Sequence, residues 1–125
     1  MINRMVEECN FKYISLEDAY FKKNIEKMLY FISFCPFLYK KHPFTYTLRY
    51  SEETYVFIVK DMKAKRGIKV QSVKKNGSNI VLEWKYTPIS ESSVVTKRAK
   101  EFTYNLILLE DMPFTNINVD TKEMM

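Results

Sequence analysis

From Thr45 onward, short runs of β-branched and aromatic residues alternate with turn residues, and this pattern limits the fold more than any other feature. Residues 45–50 have the composition of a strand, and residues 55–59 form the continuous apolar run of a strand covered on both faces. Further strand-like runs lie at 94–96, 102–109 and 114–119. The sequence therefore predicts an antiparallel β region over residues 45–119, followed by a frayed tail at 120–125.

One helical pattern precedes the β region. Ser15 stands at the position of an N-cap, before two acidic residues. An apolar residue then recurs every three or four positions, at Phe21, Ile25, Met28, Leu29 and Ile32. Because proline cannot continue a helix, Pro36 ends this one near residue 34. These signals predict one amphipathic helix over residues 16–34, with its apolar face packed on the sheet.

The two patterns together predict the fold class. A chain of 125 residues is about one domain in length, and 46% apolar residues are enough for a core. Strands and helices do not alternate as a parallel sheet would require. We expect an α+β fold in a single domain over residues 1–125. In it, one N-terminal amphipathic helix packs on an antiparallel β-sheet or sandwich of five to seven strands.

The most specific local prediction concerns the hairpin around Gly77. A two-residue Asn-Gly turn would place Val70 opposite Glu83, an apolar residue against a charged one. A three-residue loop over residues 75–77, with Gly77 left-handed as a bulge, pairs Val70 with Leu82 instead. Since this second register keeps apolar residues together on one face, we expect the bulged hairpin.

The sequence contains no recognisable catalytic or metal-binding motif. His42 is the one histidine, and it precedes Pro43, which favours an extended or turn conformation. Cys9 and Cys35 are too far apart for a CxxC redox pair or a zinc pattern. Two glycines in the whole chain leave little material for a phosphate-binding loop. The sequence therefore predicts no catalytic residue, no cofactor and no metal site.

Membrane and export signals are weak. The longest apolar segment, residues 28–39, is shorter than the roughly 20 residues of a transmembrane helix and contains Pro36. The acidic stretch before it is unlike the start of a signal peptide. We expect no membrane span and, for the chain as written, a cytoplasmic protein. Export would require a different translation start.

The formal charge of +5 is unevenly distributed. Residues 60–100 contain eleven basic and three acidic residues, whereas residues 101–125 contain one basic and five acidic residues. Such a region fits solvated lysines on a sheet face, an acidic protein partner or nucleic acid. Single-strand binding would also need exposed aromatic residues beside the cations. The alternation of Trp84 and Tyr86 with Ile80 and Leu82 indicates that these rings belong to the core.

Residues 55–110 resemble a known protein family. The matching segments are 55–59, 63–70, 73–82, 87–88, 94–97 and 102–109. In order and spacing they resemble the C-terminal domain of PrcB, a subunit of a bacterial surface protease complex. The chain departs from that family at Arg66-Gly67-Ile68, where the family usually has glycine followed by tyrosine.

The resemblance implies a non-catalytic, protein-binding module that stabilises or inhibits a protease or an envelope protein. Loops at one end of such β-rich folds can present their backbone to a partner, which makes loop residues and their charged neighbours the candidate contacts. The candidate binding residues are Lys65, Arg66, Gly67, Lys69, Thr96, Lys97 and Arg98.

Two other functions stay open. The alternative is a nucleic-acid-binding protein that uses the basic region 60–100 against phosphates. A third is an enzyme with tyrosine, lysine and carboxylate groups in a cleft between helix and sheet. The sequence leaves the oligomeric state undetermined.

Overall fold

The computed structural model describes residues 6–62, 65–112 and 116–125. This part of the chain forms one α-helix and nine strands in two sheets, a mostly β and roughly α+β fold with more strands than the five to seven expected. The elements are β1 (Glu7–Glu8), β2 (Phe11–Tyr13), α1 (Lys22–Ile32), β3 (Phe44–Tyr50), β4 (Glu53–Asp61), β5 (Gly67–Asn76), β6 (Asn79–Thr87), β7 (Ser93–Lys97), β8 (Lys100–Leu109) and β9 (Asn118–Glu123).

The elements form three layers. Sheet A has the strand order β1-β5-β6-β9, and sheet B has the order β2-β8-β4-β3, with β7 also paired to β8. Val56 and Ile58 of sheet B meet Val70 and Leu82 of sheet A in one core. A second core lies between the opposite face of sheet B and α1. Sheet B is therefore covered on both faces, as the continuous apolar run at 55–59 predicts.

The helix is shorter than predicted. Instead of covering residues 16–34, the segment begins as a short 3-10 helix, Leu16–Asp18, and α1 starts only at Lys22. The backbone of Ala19 is extended between them, and Ser15 makes no side-chain cap. The apolar stripe is nevertheless buried against sheet B, at Phe21, Ile25, Leu29 and Ile32.

The predicted hairpin register is wrong. Asn76 pairs with Asn79 across a two-residue turn, in which Gly77 has a φ of +62°. The bulge lies at Gln71, within β5, and not at the turn. Val70 consequently pairs with Trp84, which differs from both registers considered from the sequence. Apolar residues of β5 and β6 still lie on the same face of the sheet. The extra residue Gln71 keeps the apolar alternation of β5 in step with that of β6 on both sides of the bulge.

The end of the chain is not a frayed tail. β9 pairs with β6 in parallel, with Val119 beside Ile80 and Thr121 beside Leu82. The expected all-antiparallel β region therefore acquires one parallel pair. Residues 114 and 115 of the strand predicted at 114–119 lie outside the described residues, and the strand itself runs from 118 to 123.

A side-chain bridge joins the two sheets. Asn105 of β8 donates from Nδ2 to the Ile68 carbonyl (2.9 Å) and accepts at Oδ1 from the Val70 N–H (3.0 Å). The Thr103 hydroxyl oxygen accepts from the Ile68 N–H at 3.1 Å, and the Tyr13 hydroxyl donates to the Val70 carbonyl. These bonds satisfy the backbone of β5 on the side that faces away from β6.

Candidate interaction surface

The first group of predicted contact residues lies at the start of β5. Lys65 and Arg66 are exposed, and the Arg66 guanidinium carbon lies 4.0 Å from the ring centroid of Tyr86. Lys69 is exposed on the outer face of sheet A, directly opposite Lys85. These cations thus lie on or beside a solvated sheet face, in a different sheet from the second predicted group.

Gly67 is buried and packs under another segment. A Cβ at this position would lie 1.5 Å from the Ser92 hydroxyl oxygen and 2.1 Å from Ser92 Cβ. Only a residue without a side chain permits this approach. We therefore assign Gly67 to packing and leave it out of the contact surface proposed below.

The second group lies on the β7–β8 hairpin, and its tip meets the end of α1. Lys97 pairs with Lys100 across a two-residue turn. The guanidinium carbon of Arg98, in that turn, lies 3.5 Å from the ring centroid of Phe34, and Arg98 Nη1 lies 3.4 Å from Ser33 Oγ. Lys100 Nζ donates to the Ser33 carbonyl at 2.8 Å. Two cations therefore stabilise the negative end of the helix.

Four exposed aromatic side chains lie in this part of the chain. Tyr30 and Phe31 lie on α1, Phe34 lies in the turn after it, and Phe37 lies in the short 3-10 helix Pro36–Leu38. Their exposed fractions are 53% for Tyr30, 62% for Phe31, 53% for Phe34 and 78% for Phe37. Lys23 and Lys27 are exposed on the same helix face, one or two turns before the rings.

We call these residues, together with Arg98, the aromatic–cationic surface. Its members are Lys23, Lys27, Tyr30, Phe31, Phe34, Phe37 and Arg98. Of the residues predicted from the sequence, only Arg98 belongs to it. The sequence did carry a signal: Tyr30, Phe31 and Phe34 are large aromatic residues off the apolar stripe, on the face that the lysines occupy.

The basic region 60–100 does not form one cationic face. Lys74 Nζ lies 3.1 Å from Glu83 Oε1 and is thereby paired, and Lys60 Nζ, which is buried, lies 3.3 Å from Asp61 Oδ1. Lys75 is likewise paired, at 3.9 Å from Glu7. The local excess of charge is thus partly neutralised by the fold.

A cleft of about 460 Å³ opens beside the β7–β8 hairpin. Lys65 and Lys100 both line it, with Tyr39 and Asp61. Burial, and secondarily the charge of Asp61, raises the pKa of the Tyr39 hydroxyl above its ordinary value. Lys65 and the β7–β8 hairpin thus line the same cleft. The cleft contains the tyrosine, lysine and carboxylate groups expected of the enzyme alternative, but the described contacts show no nucleophile paired with a base.

Clusters of metal-ligating residues, cysteines and membrane-spanning helices are the remaining features considered in the described ranges. No group of three or more His, Cys, Asp or Glu residues there could hold a metal ion. Cys9 and Cys35 are free thiols, and burial raises the pKa of Cys9. Of the helices in the same ranges, none combines the length and apolar character needed to cross a membrane.

No family model, curated protein or solved structure matches this chain.

Proposed function

We propose that this protein is a non-catalytic module that binds another protein through the aromatic–cationic surface. The observation that carries the proposal is the set of four exposed rings at the end of α1, with Arg98 stacked on Phe34. Aromatic residues and arginine dominate the energetics of protein interfaces, because they bury large areas and keep a polar group available.

The centre of the surface is held in place by contacts within the molecule. Arg98 is held by Phe34 and Ser33, and Tyr30 packs edge-on against Phe34 with ring centroids 5.2 Å apart. Fixing side chains at an interface costs free energy, and here part of that cost is already met by contacts within the molecule. A rigid cluster of this kind favours binding to a complementary apolar pocket.

The partner's surface should be acidic around that pocket. Lys23 and Lys27 flank the rings on the outer face of α1, and Arg98 lies among them. Positive charge at the edge of an interface raises the association rate with a negatively charged partner. The resemblance to PrcB makes proteases and envelope proteins the first candidates for such a partner.

Nucleic acid is the alternative outcome. Rings beside cations can also stack on the bases of single strands. However, Arg98 covers one face of the Phe34 ring, and Lys60, Lys74 and Lys75 are engaged with carboxylates. These contacts favour a protein partner over a phosphate backbone.

The test is affinity capture from the native organism, with nuclease treatment and at moderate salt. The double variant Phe34→Ser/Phe37→Ser removes two of the four exposed rings. The variant Ile89→Ser removes an exposed apolar residue outside it and serves as the control. The double variant should lower the affinity for a captured protein at least tenfold, since interface anchors contribute about 2 kcal/mol or more each.

The control should retain wild-type affinity, and Lys23→Glu/Lys27→Glu should weaken binding more at low salt than at high salt. Thermal unfolding of each variant checks that the fold is intact. Capture that nuclease abolishes would assign the function to nucleic acid. Capture that the double variant leaves unchanged would contradict the proposed surface.

A further inference from the structure

Among the described residues, the outer edge of β3 is open at Thr45 and Thr47. Tyr50 pairs with Glu53 across a two-residue turn, so alternate residues of β3, starting from Tyr50, direct their N–H and C=O groups to β4. The backbone groups of Thr45 and Thr47 consequently point the other way. In the described part of the chain, no hydrogen bond to the backbone of Thr45 or Thr47 comes from that side.

As far as the chain is described, this edge lacks the usual protection. β3 is seven residues long and pairs with β4 without a bulge, and it contains no proline and one charged residue. By contrast, the outward side of β5 is satisfied by Thr103 and Asn105. Natural proteins shorten, bulge or cover edge strands, because an unprotected edge pairs with another strand. β3 therefore has the properties of a pairing site.

We propose that β3 pairs antiparallel with β3 of a second copy of this chain. The two-fold axis lies between the two copies of Thr47, so Thr47 is directly opposite Thr47 of the second copy. The N–H of each Thr47 donates a hydrogen bond to the C=O of the other. In this register Tyr46 faces Leu48, and Phe44 faces Tyr50. Aromatic, aliphatic and threonine cross-strand pairs of this kind stabilise antiparallel sheets.

The sequence of β3 is self-complementary in this register. Its one charged residue, Arg49, faces Thr45 of the second copy, so like charges do not oppose each other. At the end of the strand, Tyr20 stacks on Tyr50 with ring centroids 5.8 Å apart, and both side chains are exposed. The second copy would cover this stack with Phe44, which is half-buried beside the helix core.

Pairing would join the two copies of sheet B into one continuous sheet. The outer faces of both α1 helices would stay uncovered, because β3 and the aromatic–cationic surface are different parts of the molecule. A dimer would then present two such surfaces and gain avidity for a repeated or clustered partner.

The test measures molar mass by equilibrium sedimentation of the full chain over a wide concentration range. Thr47→Pro removes the outward N–H and leaves the β3–β4 hydrogen bonds in place. Thr96→Pro is the matched control: Lys97 pairs with Lys100 across a two-residue turn, so the Thr96 N–H also points outward, from β7. Wild type and Thr96→Pro should dimerise, and Thr47→Pro should weaken the dimer at least tenfold.

A wild-type monomer at every concentration would overturn the proposal, as would equal dimerisation of Thr47→Pro and wild type. If thermal melting shows that Thr47→Pro is unfolded, Thr47→Lys takes its place. In the proposed register this variant places two ammonium groups opposite each other, so it should also give a monomer. Phe34→Ser/Phe37→Ser should still dimerise, which separates failure of this proposal from failure of the proposed function.

Discussion

At the scale of single residues, the side chain of Asn105 makes hydrogen bonds to β5 that a neighbouring strand would otherwise make. Its amide donates to the Ile68 carbonyl and accepts from the Val70 N–H, as the backbone of a neighbouring strand would. Asn105 is 9% exposed, so water does not readily replace these bonds. Within a strand otherwise rich in apolar residues, a buried amide is explained by the two backbone groups that it satisfies.

Replacing Asn105 by alanine should therefore cost stability out of proportion to the volume removed. Each buried backbone group left unsatisfied costs about 1–3 kcal/mol, so we expect a loss of about 2 kcal/mol or more in the free energy of unfolding. Urea unfolding measures it. Asn24→Ala, at an exposed position of α1, is the control and should change stability by less than about 0.5 kcal/mol. Equal effects of the two substitutions would contradict this role.

The residues of the candidate surface show how far single positions could be predicted. Arg98 was identified as a candidate contact, but its stacking on Phe34 depends on a hairpin and a helix far apart in sequence. The sequence predicts a partner contact at Gly67, whereas the structure explains the glycine by the close approach of Ser92. Local pattern indicates which residues are unusual, and only the tertiary arrangement determines what they touch.

At the scale of elements, strand and helix positions were more predictable than their pairing. The runs at 45–50, 55–59 and 102–109 all lie in strands, because apolar alternation depends on local sequence. The hairpin register failed at the turn, which consists of residues 77 and 78 and not of 75–77 or 76–77, and the extra residue Gln71 then shifts the pairs beyond it by one position. The sequence has no glycine at that bulge that could have marked it.

β9 shows the same limit and yields a prediction. The sequence places the last strand at 114–119 and a frayed tail at 120–125, whereas β9 continues to residue 123, because it is stabilised by parallel pairing with β6, a segment about 40 residues away. Its Val119 packs against the core that contains Trp84, the one tryptophan, which is 2% exposed. Removing residues 118–125 should expose one side of β6, lower the unfolding temperature and shift tryptophan emission to longer wavelength.

The control for this truncation removes only Met125, which is fully exposed. It should leave both the unfolding temperature and the emission unchanged. A chain without residues 118–125 that keeps the wild-type emission and unfolding temperature would show that β9 contributes nothing to the core.

At the scale of the whole molecule, the fold brings the uneven charges of the sequence together. The acidic C-terminal part of the chain returns to the basic hairpin as β9, where Asp120 lies beside Val81 and Lys122 beside Glu83. Glu83 is buried at the centre of sheet A, although its neighbours in sequence are basic or apolar. The basic pI of about 9.1 therefore describes a molecule in which part of the local cationic excess, at Lys74, is paired with the carboxylate of Glu83.

This arrangement predicts acid sensitivity. The Ser72 hydroxyl donates to Glu83 Oε1 at 2.5 Å, and Lys74 Nζ lies 3.1 Å from the same oxygen. The Ser72 hydrogen bond, followed by Lys74, holds the pKa of Glu83 below its ordinary value of 4.5. Since the folded-state pKa is lowered, the stabilisation is complete above the unfolded-state pKa and is lost as the pH falls through the folded-state value.

Urea unfolding measured between pH 7 and pH 3 should therefore show stability falling below about pH 5, as the carboxylates that the fold stabilises are protonated and the many basic groups repel one another. Glu83→Gln should be less stable than wild type at neutral pH and should lose less stability on acidification. Glu52→Gln, which changes an exposed carboxyl, should keep the wild-type pH dependence. Parallel profiles for Glu83→Gln and wild type would show that the charge of Glu83 does not stabilise the folded molecule.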